Sequence, residues 1–119
     1  MSRLVNPLEQ QWQEYLDKDF QDLIFYKFVY SQDLKKVDEF ILIYITTINN
    51  KPVEILKYDF SKKESFYVHF YYKKPPIKKF INLNQNLSPE ETFEEMIKFA
   101  TYIKKNWKKL KLKYFDNYC

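Results

Sequence analysis

The sequence predicts an α+β domain in two layers: an antiparallel sheet of three to four strands with an N-terminal and a long C-terminal helix. Three observations predict it. Residues 39–72 hold three runs rich in β-branched and aromatic side chains, separated by polar turns. Residues 88–114 open on a helix-start signal and then repeat apolar residues every three or four positions. Residues 8–24 show the same helical spacing. At 119 residues the chain reads as one domain, 1–119.

The N-terminal helix is expected from Asn6 as its cap, Pro7 in its first turn and Glu9 at the capping-box position. Leu8, Trp12, Tyr15, Leu16, Phe20, Leu23 and Ile24 form its apolar stripe, opposite an acidic face of Glu14, Asp17, Asp19 and Asp22. Its end falls between Asp19 and Phe25, and residues 25–30 read as a short strand or as the helix running on. Ser31 to Asp38 is a polar loop.

Glu39–Ile48 is almost continuously apolar, as a central strand is. Asn49-Asn50 suits a tight hairpin turn, because Asn tolerates the left-handed region. The chain has no glycine, so Asn and Asp are expected wherever φ is positive. Val53–Phe60 is the second strand and Ser61–Glu64 a polar turn. Ser65–Tyr72, the third strand, puts Phe66, Val68, Phe70 and Tyr72 on one face and Tyr67, His69 and Tyr71 on the other. Pro75-Pro76 interrupts the sheet, and Ile77–Leu83 with its lysines suits a fourth, edge strand.

The last helix starts at Ser88-Pro89-Glu90-Glu91, an N-cap, a first-turn proline and a capping-box acid. Phe93, Met96, Ile97, Ala100, Ile103, Trp107, Leu110 and Tyr114 make its stripe. Acids gather at its start and lysines towards its end, an order that complements the helix dipole. Trp12 and Trp107 lie on apolar stripes and read as core.

Composition excludes several function classes. Cys119 stands alone, so no internal disulfide and no cysteine-built zinc site is possible. One histidine, His69, excludes a multi-histidine metal site and a two-histidine ribonuclease mechanism. Without glycine there is no P-loop and no dinucleotide fingerprint. No cofactor is expected. The longest apolar run, Phe40–Ile45, is far short of the roughly 20 residues a membrane helix needs. The first residues lack an apolar signal core, which makes the cytoplasm the expected compartment. Lys, Asn, Ile, Phe and Tyr are abundant, the set with AT-rich codons, so part of the lysine and aromatic excess reflects an AT-rich genome.

Charge is unevenly placed. Residues 1–60 carry 7 basic and 10 acidic side chains, a net −3, while residues 61–119 carry 13 and 6, a net +7. Lys104, Lys105, Lys108, Lys109 and Lys111 cluster on the last helix and are the expected phosphate-contacting residues, with Lys62, Lys63, Lys73, Lys74, Lys78 and Lys79 adding from the loops. Tyr71 is an aromatic on which a base could stack. A solvated lysine face is the plainer alternative, and a lone arginine, Arg3, weakens the nucleic-acid reading, because bidentate phosphate and base contacts prefer Arg. His69 with Asp59 or Glu54 offers acid/base chemistry, against a simple sheet-face histidine. Asp59 either orients His69 or caps the turn at Ser61, and turn chemistry favours the cap.

From Glu39 onward the order of features resembles a small, mostly uncharacterised prokaryotic family similar to the TumE-like toxins of toxin–antitoxin pairs. The residues that carry it are Tyr58-Asp59 on one strand, Val68-His69 on the next, and Phe99-Ala100, Asn106-Trp107 and Tyr114-Phe115 on the last helix. Where those toxins follow the aspartate with Asn and a cluster of histidines, this chain has Phe60-Ser61-Lys62. The resemblance implies the fold of residues 39–119 and, as an activity, a toxin-like ribonuclease with His69 as acid/base and Asp59 to orient it. Three functions are therefore expected in order: a basic accessory domain, non-enzymatic or weakly enzymatic, that binds RNA, DNA or an acidic protein; that ribonuclease; and a protein-interaction module such as a homodimer or a defence or viral adaptor.

Overall fold

The computed structural model describes residues 8–84 and 86–119. In chain order the elements are β1 (Glu9–Tyr15), β2 (Asp22–Tyr30), β3 (Val37–Ile48), β4 (Lys51–Ser61), β5 (Ser65–Phe70), β6 (Ile77–Phe80) and α1 (Pro89–Tyr118). The strands form one antiparallel meander in the order β1-β2-β3-β4-β5-β6. The sheet has six strands rather than three or four, and α1 is the only helix among the described residues.

The expected N-terminal helix is thus corrected to a β-hairpin. The hairpin splits the expected stripe: Trp12, Leu16 and Ile24 turn to the core, whereas Tyr15 and Leu23 fall on the opposite face. Trp12 projects to the covered face of β1 beside Tyr26, and in β2 Ile24, Tyr26 and Phe28 alternate into the core. The segment 23–30 is almost all Leu, Ile, Phe, Tyr and Val, side chains that fit a pleated surface better than a helix. The turn between the strands is closed by Asp17, whose Oδ1 accepts from the backbone N–H groups of Gln21 at 3.0 Å and Asp22 at 2.9 Å. The expected caps Asn6 and Pro7 lie outside the described residues, and Glu9 begins β1.

Other turns follow their expected chemistry in part. Asn49 and Asn50 take φ of 53° and 63°, both left-handed, and join β3 to β4. Positive φ also occurs at Phe20, Leu34 and Ser65, so the expectation that Asn and Asp fill all such positions is corrected. The fourth strand of the expectation is β6, an exposed edge as predicted, but it ends at Phe80 rather than Leu83. At β3–β4 a bulge after Tyr44 inserts Ile55, which is fully buried.

The capping box forms as predicted. Ser88 Oγ accepts from the Glu91 N–H, and the Glu91 carboxylate accepts from the Ser88 N–H. No basic residue falls in the last turn, so the lysines of α1 gain little from the dipole, which acts within that turn. α1 lies across one face of the sheet, mainly over β3 and β4. Met96, Ala100, Ile103 and Leu110 meet Phe40, Leu42 and Tyr44 of β3, Leu56, Tyr58 and Phe60 of β4, and Phe66 and Val68 of β5. Each buried Leu, Ile, Val, Phe or Met among them stabilises the fold by about 1.5–3 kcal/mol. Trp12 and Trp107 pack against this core, Trp12 stacked on Tyr26 with ring centroids 4.8 Å apart.

Two polar clusters tie α1 to the first hairpin. Asp22, 1% exposed, accepts from the Tyr44 hydroxyl at 2.7 Å and from Lys111 Nζ at 3.1 Å. Glu14 accepts from the Tyr26 hydroxyl at 2.8 Å and pairs with Lys104 Nζ at 3.0 Å. Each cluster is one carboxylate, one sheet tyrosine and one helix lysine. Burial and then the adjoining carboxylate push both phenols well above their ordinary range. Burial alone would raise the Glu14 carboxyl, but the bonds from Tyr26 and Lys104 outweigh it and hold it below the usual value.

The clusters differ in solvent exposure. The Lys104 and Glu14 side chains are 46% and 43% exposed, whereas Lys111 and Asp22 are 25% and 2% exposed. Lys111→Met leaves a buried carboxylate without its cation and is expected to destabilise the fold by about 3 kcal/mol in urea unfolding. Lys104→Met is expected to cost less than about 1 kcal/mol in the same assay. Equal losses for the two variants would contradict this ranking.

Candidate functional site

With α1 on one face, no described element covers the other face of the sheet. Odd-numbered residues of β1, β2 and β5, those of β3 from Glu39 onward, and residues 57 and 59 of β4 point to it, as the registers require. At its β4–β6 side the register sets Lys57 opposite His69, His69 opposite Lys78, and Asp59 opposite Tyr67. His69 and Asp59, one of the two acid pairings the sequence left open for this histidine, are thereby brought together: His69 Nε2 lies 4.0 Å from Asp59 Oδ2. Asp59 does not cap the turn at Ser61. The Ser61 hydroxyl does this itself by accepting from the Lys63 N–H at 3.3 Å.

Two neighbours were not anticipated as part of this cluster. Lys57 Nζ sits 3.8 Å from the same Asp59 oxygen. Lys78 Nζ lies over the Tyr67 ring, 4.3 Å from its centroid. The alternation of β4 and β6 would have placed both lysines on this face, but only once the strand registers were known. Asp59, Tyr67, His69 and Lys78, together with Ser61, Glu64 and Ser65, line a groove of about 440 Å³. Tyr71 stacks on His69 at 5.5 Å and is half-buried, so the face it offers to a base is already taken on one side. Glu54, the other acid considered for His69, lines a separate groove with Tyr71, Pro76, Tyr114 and Tyr118.

Burial lowers the His69 pKa below the ordinary 6.5. Asp59 and Glu54 pull it upward, while Lys57 and Lys78 push it further down. His69 is therefore mainly neutral at pH 7 and available as a base. Beside Asp59 and two lysines, it could take a proton from a nucleophile while the lysines hold a phosphate.

The five helix lysines separate into two groups. Lys104 and Lys111 face the sheet and are held by Glu14 and Asp22. Lys105, Lys108 and Lys109 are exposed and, among the described residues, form no ion pair. Lys108 Nζ lies 5.5 Å from the Trp107 ring centroid. The C-terminal end of α1 adjoins the β5–β6 loop, where Asn117 donates to the Tyr72 carbonyl at 2.7 Å and Tyr118 donates to that of Lys73. Lys113 and Lys74 lie over the rings of Tyr72 and Tyr118 at 5.6 and 5.5 Å. A basic surface thus runs from Lys105 along the helix to Lys73 and Lys74. The partners of Lys104 and Lys111 lie about 90 positions away in the chain, and no local signal marked them.

Among the described residues no group of three or more His, Cys, Asp or Glu side chains is placed to hold a metal ion. No helix among them is long and apolar enough to cross a membrane. No protein-family model matches the chain, and no match was found among curated proteins or solved structures.

His69 gives a direct check on this geometry. In an NMR titration its pKa is expected below 6.5; Asp59→Asn should lower it further and Lys57→Met should bring it back up. Because the folded value is depressed, the unfolded chain binds more protons around pH 6. The His69 contribution is therefore fully present above pH 6.5 and declines as pH falls from there through the folded pKa. A His69 pKa above 6.5 would contradict the arrangement.

Proposed function

We propose that this chain is a nucleic-acid-binding domain that holds phosphates with the outward lysines of α1. Lys105, Lys108 and Lys109 are the central contacts, extended by Lys113 and by Lys73 and Lys74. The observation that carries the reading is the sorting of the helix lysines. Lys104 and Lys111 are neutralised by carboxylates of the first hairpin, while Lys105, Lys108 and Lys109 project unpaired into solvent. Uncompensated cations on one ridge produce the positive potential that attracts a phosphate backbone. From Lys105 to Lys113 the ridge spans about 12 Å at the helical rise. Lysine, a flexible point charge, contacts phosphates but reads bases poorly, so recognition is expected to follow the backbone rather than sequence.

Anisotropy of labelled single-stranded RNA and duplex DNA at about 50 and 200 mM salt tests the reading, since multi-phosphate binding weakens by orders of magnitude over this range. Replacing Lys105, Lys108 and Lys109 together by Gln is expected to flatten the salt slope on single-stranded RNA by about 2. No wild-type binding at low salt, or an unchanged slope in the triple variant, would overturn the assignment.

A second reading rests on the meeting of Asp59 and His69, 4.0 Å apart on the open face. It is the toxin-like ribonuclease implied by the family resemblance. A neutral His69 would take the proton of a ribose 2′-hydroxyl as its oxygen attacks the adjacent phosphorus. The bond to the 5′-oxygen breaks, that oxygen takes a proton from water, and a 2′,3′-cyclic phosphate is left. Lys57 and Lys78 would hold the phosphate oxygens. Its check is His69→Ala, which should end any RNA cleavage while the fold and the helix-borne binding persist.

A further inference from the structure

We infer that the open face of the sheet is the docking surface for a second copy of this chain, in a two-fold dimer of stacked sheets. Its centre is apolar, formed by the half-buried Leu23 and Phe25 of β2 and Ile41 and Ile45 of β3 around Ile43, which is already only 9% exposed. On the β1 side it is bounded by Gln11 and Gln13, and on the β4–β6 side by Lys57, Asp59, His69 and Lys78. An apolar centre inside a polar rim is the usual anatomy of a protein interface.

Three features favour a second copy as the occupant. The molecule is a slab of 46 × 40 × 22 Å with a helix on one face of the sheet and no described element on the other. Two slabs stacked on this face would make the aligned four-layer sandwich that twisted sheets allow, with the sheets about 10 Å apart. The size is also adequate. Six strands about 4.8 Å apart and about 20 Å long present roughly 500–600 Å² in projection, which side-chain relief raises towards the ~800 Å² per partner of stable dimers.

The third feature is self-complementarity. One cross-strand row of the face runs Lys27, Ile41, Asp59, Tyr67 and Phe80, and the next runs Phe25, Ile43, Lys57, His69 and Lys78. A two-fold axis in the interface, crossing the strands between these rows, exchanges them. Ile41 then faces Ile43 of the second copy, Asp59 faces Lys57, Tyr67 faces His69, and Phe80 faces Lys78. Lys27 meets Phe25 in the same way. Every position of one row finds a partner of fitting chemistry: apolar on apolar, acid on base, ring on ring and cation on ring. The opposite basic ridge of α1 remains outside this interface, whereas Lys57, Asp59, His69 and Lys78 lie within it, so the dimer is compatible with the helix-borne binding and not with the ribonuclease reading.

Sedimentation of the purified chain at about 50 μM tests the inference with a charge exchange at two rim positions. Wild type is expected at twice 14.8 kDa. Lys57→Asp sets a new carboxylate against Asp59 of the second copy, and Asp59→Lys sets a new ammonium against its Lys57; each clash occurs twice per dimer. Each variant alone is expected to sediment as a monomer, with Kd raised about 100-fold. Mixed in equal amounts, the two should recover the dimeric mass, because both contacts across the axis are again acid on base. Circular dichroism of each variant should match wild type. A monomeric wild type, a single variant that stays dimeric, or a mixture that stays monomeric overturns the proposal. A monomer whose RNA binding is lost in Lys57→Asp would assign the face to nucleic acid instead.

Discussion

The carboxylate of Asp22 sits at the start of β2, beneath the helix and almost out of water, and the arrangement of the molecule turns on how it is satisfied. A buried carboxylate is tolerated only if its charge and lone pairs are met. Tyr44 supplies a hydroxyl from the neighbouring strand β3 and Lys111 supplies the charge from the helix. On the other neighbouring strand, β1, Glu14 is met in the same way by Tyr26 and Lys104. Lys104 and Lys111 are seven residues apart, two helical turns, so both reach down from one side of α1. Apolar burial supplies most of the attraction between helix and sheet, but it is non-directional. The two clusters fix where along the sheet the helix lies, because any axial slide would strand a buried charge.

This constraint also shapes the surface. By drawing Lys104 and Lys111 inward, the first hairpin leaves Lys105, Lys108 and Lys109 as the outward charge of the helix. The acidic first half and the basic second half of the chain are partly a matched pair within one molecule. What remains after that matching is the basic ridge on the helix side. The sheet side is different in kind, a flat face with an apolar centre and balanced charges. The two faces point in opposite directions, so stacking through the sheet would present two ridges on one particle and let both engage one long polyanion.

The strands from Glu39 onward and the final helix could be read from sequence because their signals are local, although β3 in fact starts two residues earlier, at Val37. Asn49-Asn50, Ser88 and Pro89 mark the boundaries, and the alternation of residues 65–70 separates Phe66 and Val68 from Tyr67 and His69. The first hairpin could not. Its turn carries neither glycine nor asparagine, and Phe20 takes the left-handed position that would usually announce it. Leu8, Trp12 and Leu16, spaced by four, fit a helix and a strand face equally well. The pairing of Asp59 with His69 stood in the sequence only as an alternative to Glu54 and to a turn cap, and it required, as Lys57 did, the register of β4 on β5. The Asp22–Lys111 pair spans nearly the whole chain and could be found only in three dimensions.

Native-state amide hydrogen exchange on Asp22→Ala tests most directly whether this buried carboxylate locks the helix to the first hairpin. The account predicts a local loss: amides of β1, β2 and residues 103–114 of α1 open together at lower free energy, while β4 and β5 keep their protection. Protection lost evenly across the sheet and helix, or unchanged in α1, would contradict it and leave the apolar contacts as the sole determinant of where the helix sits.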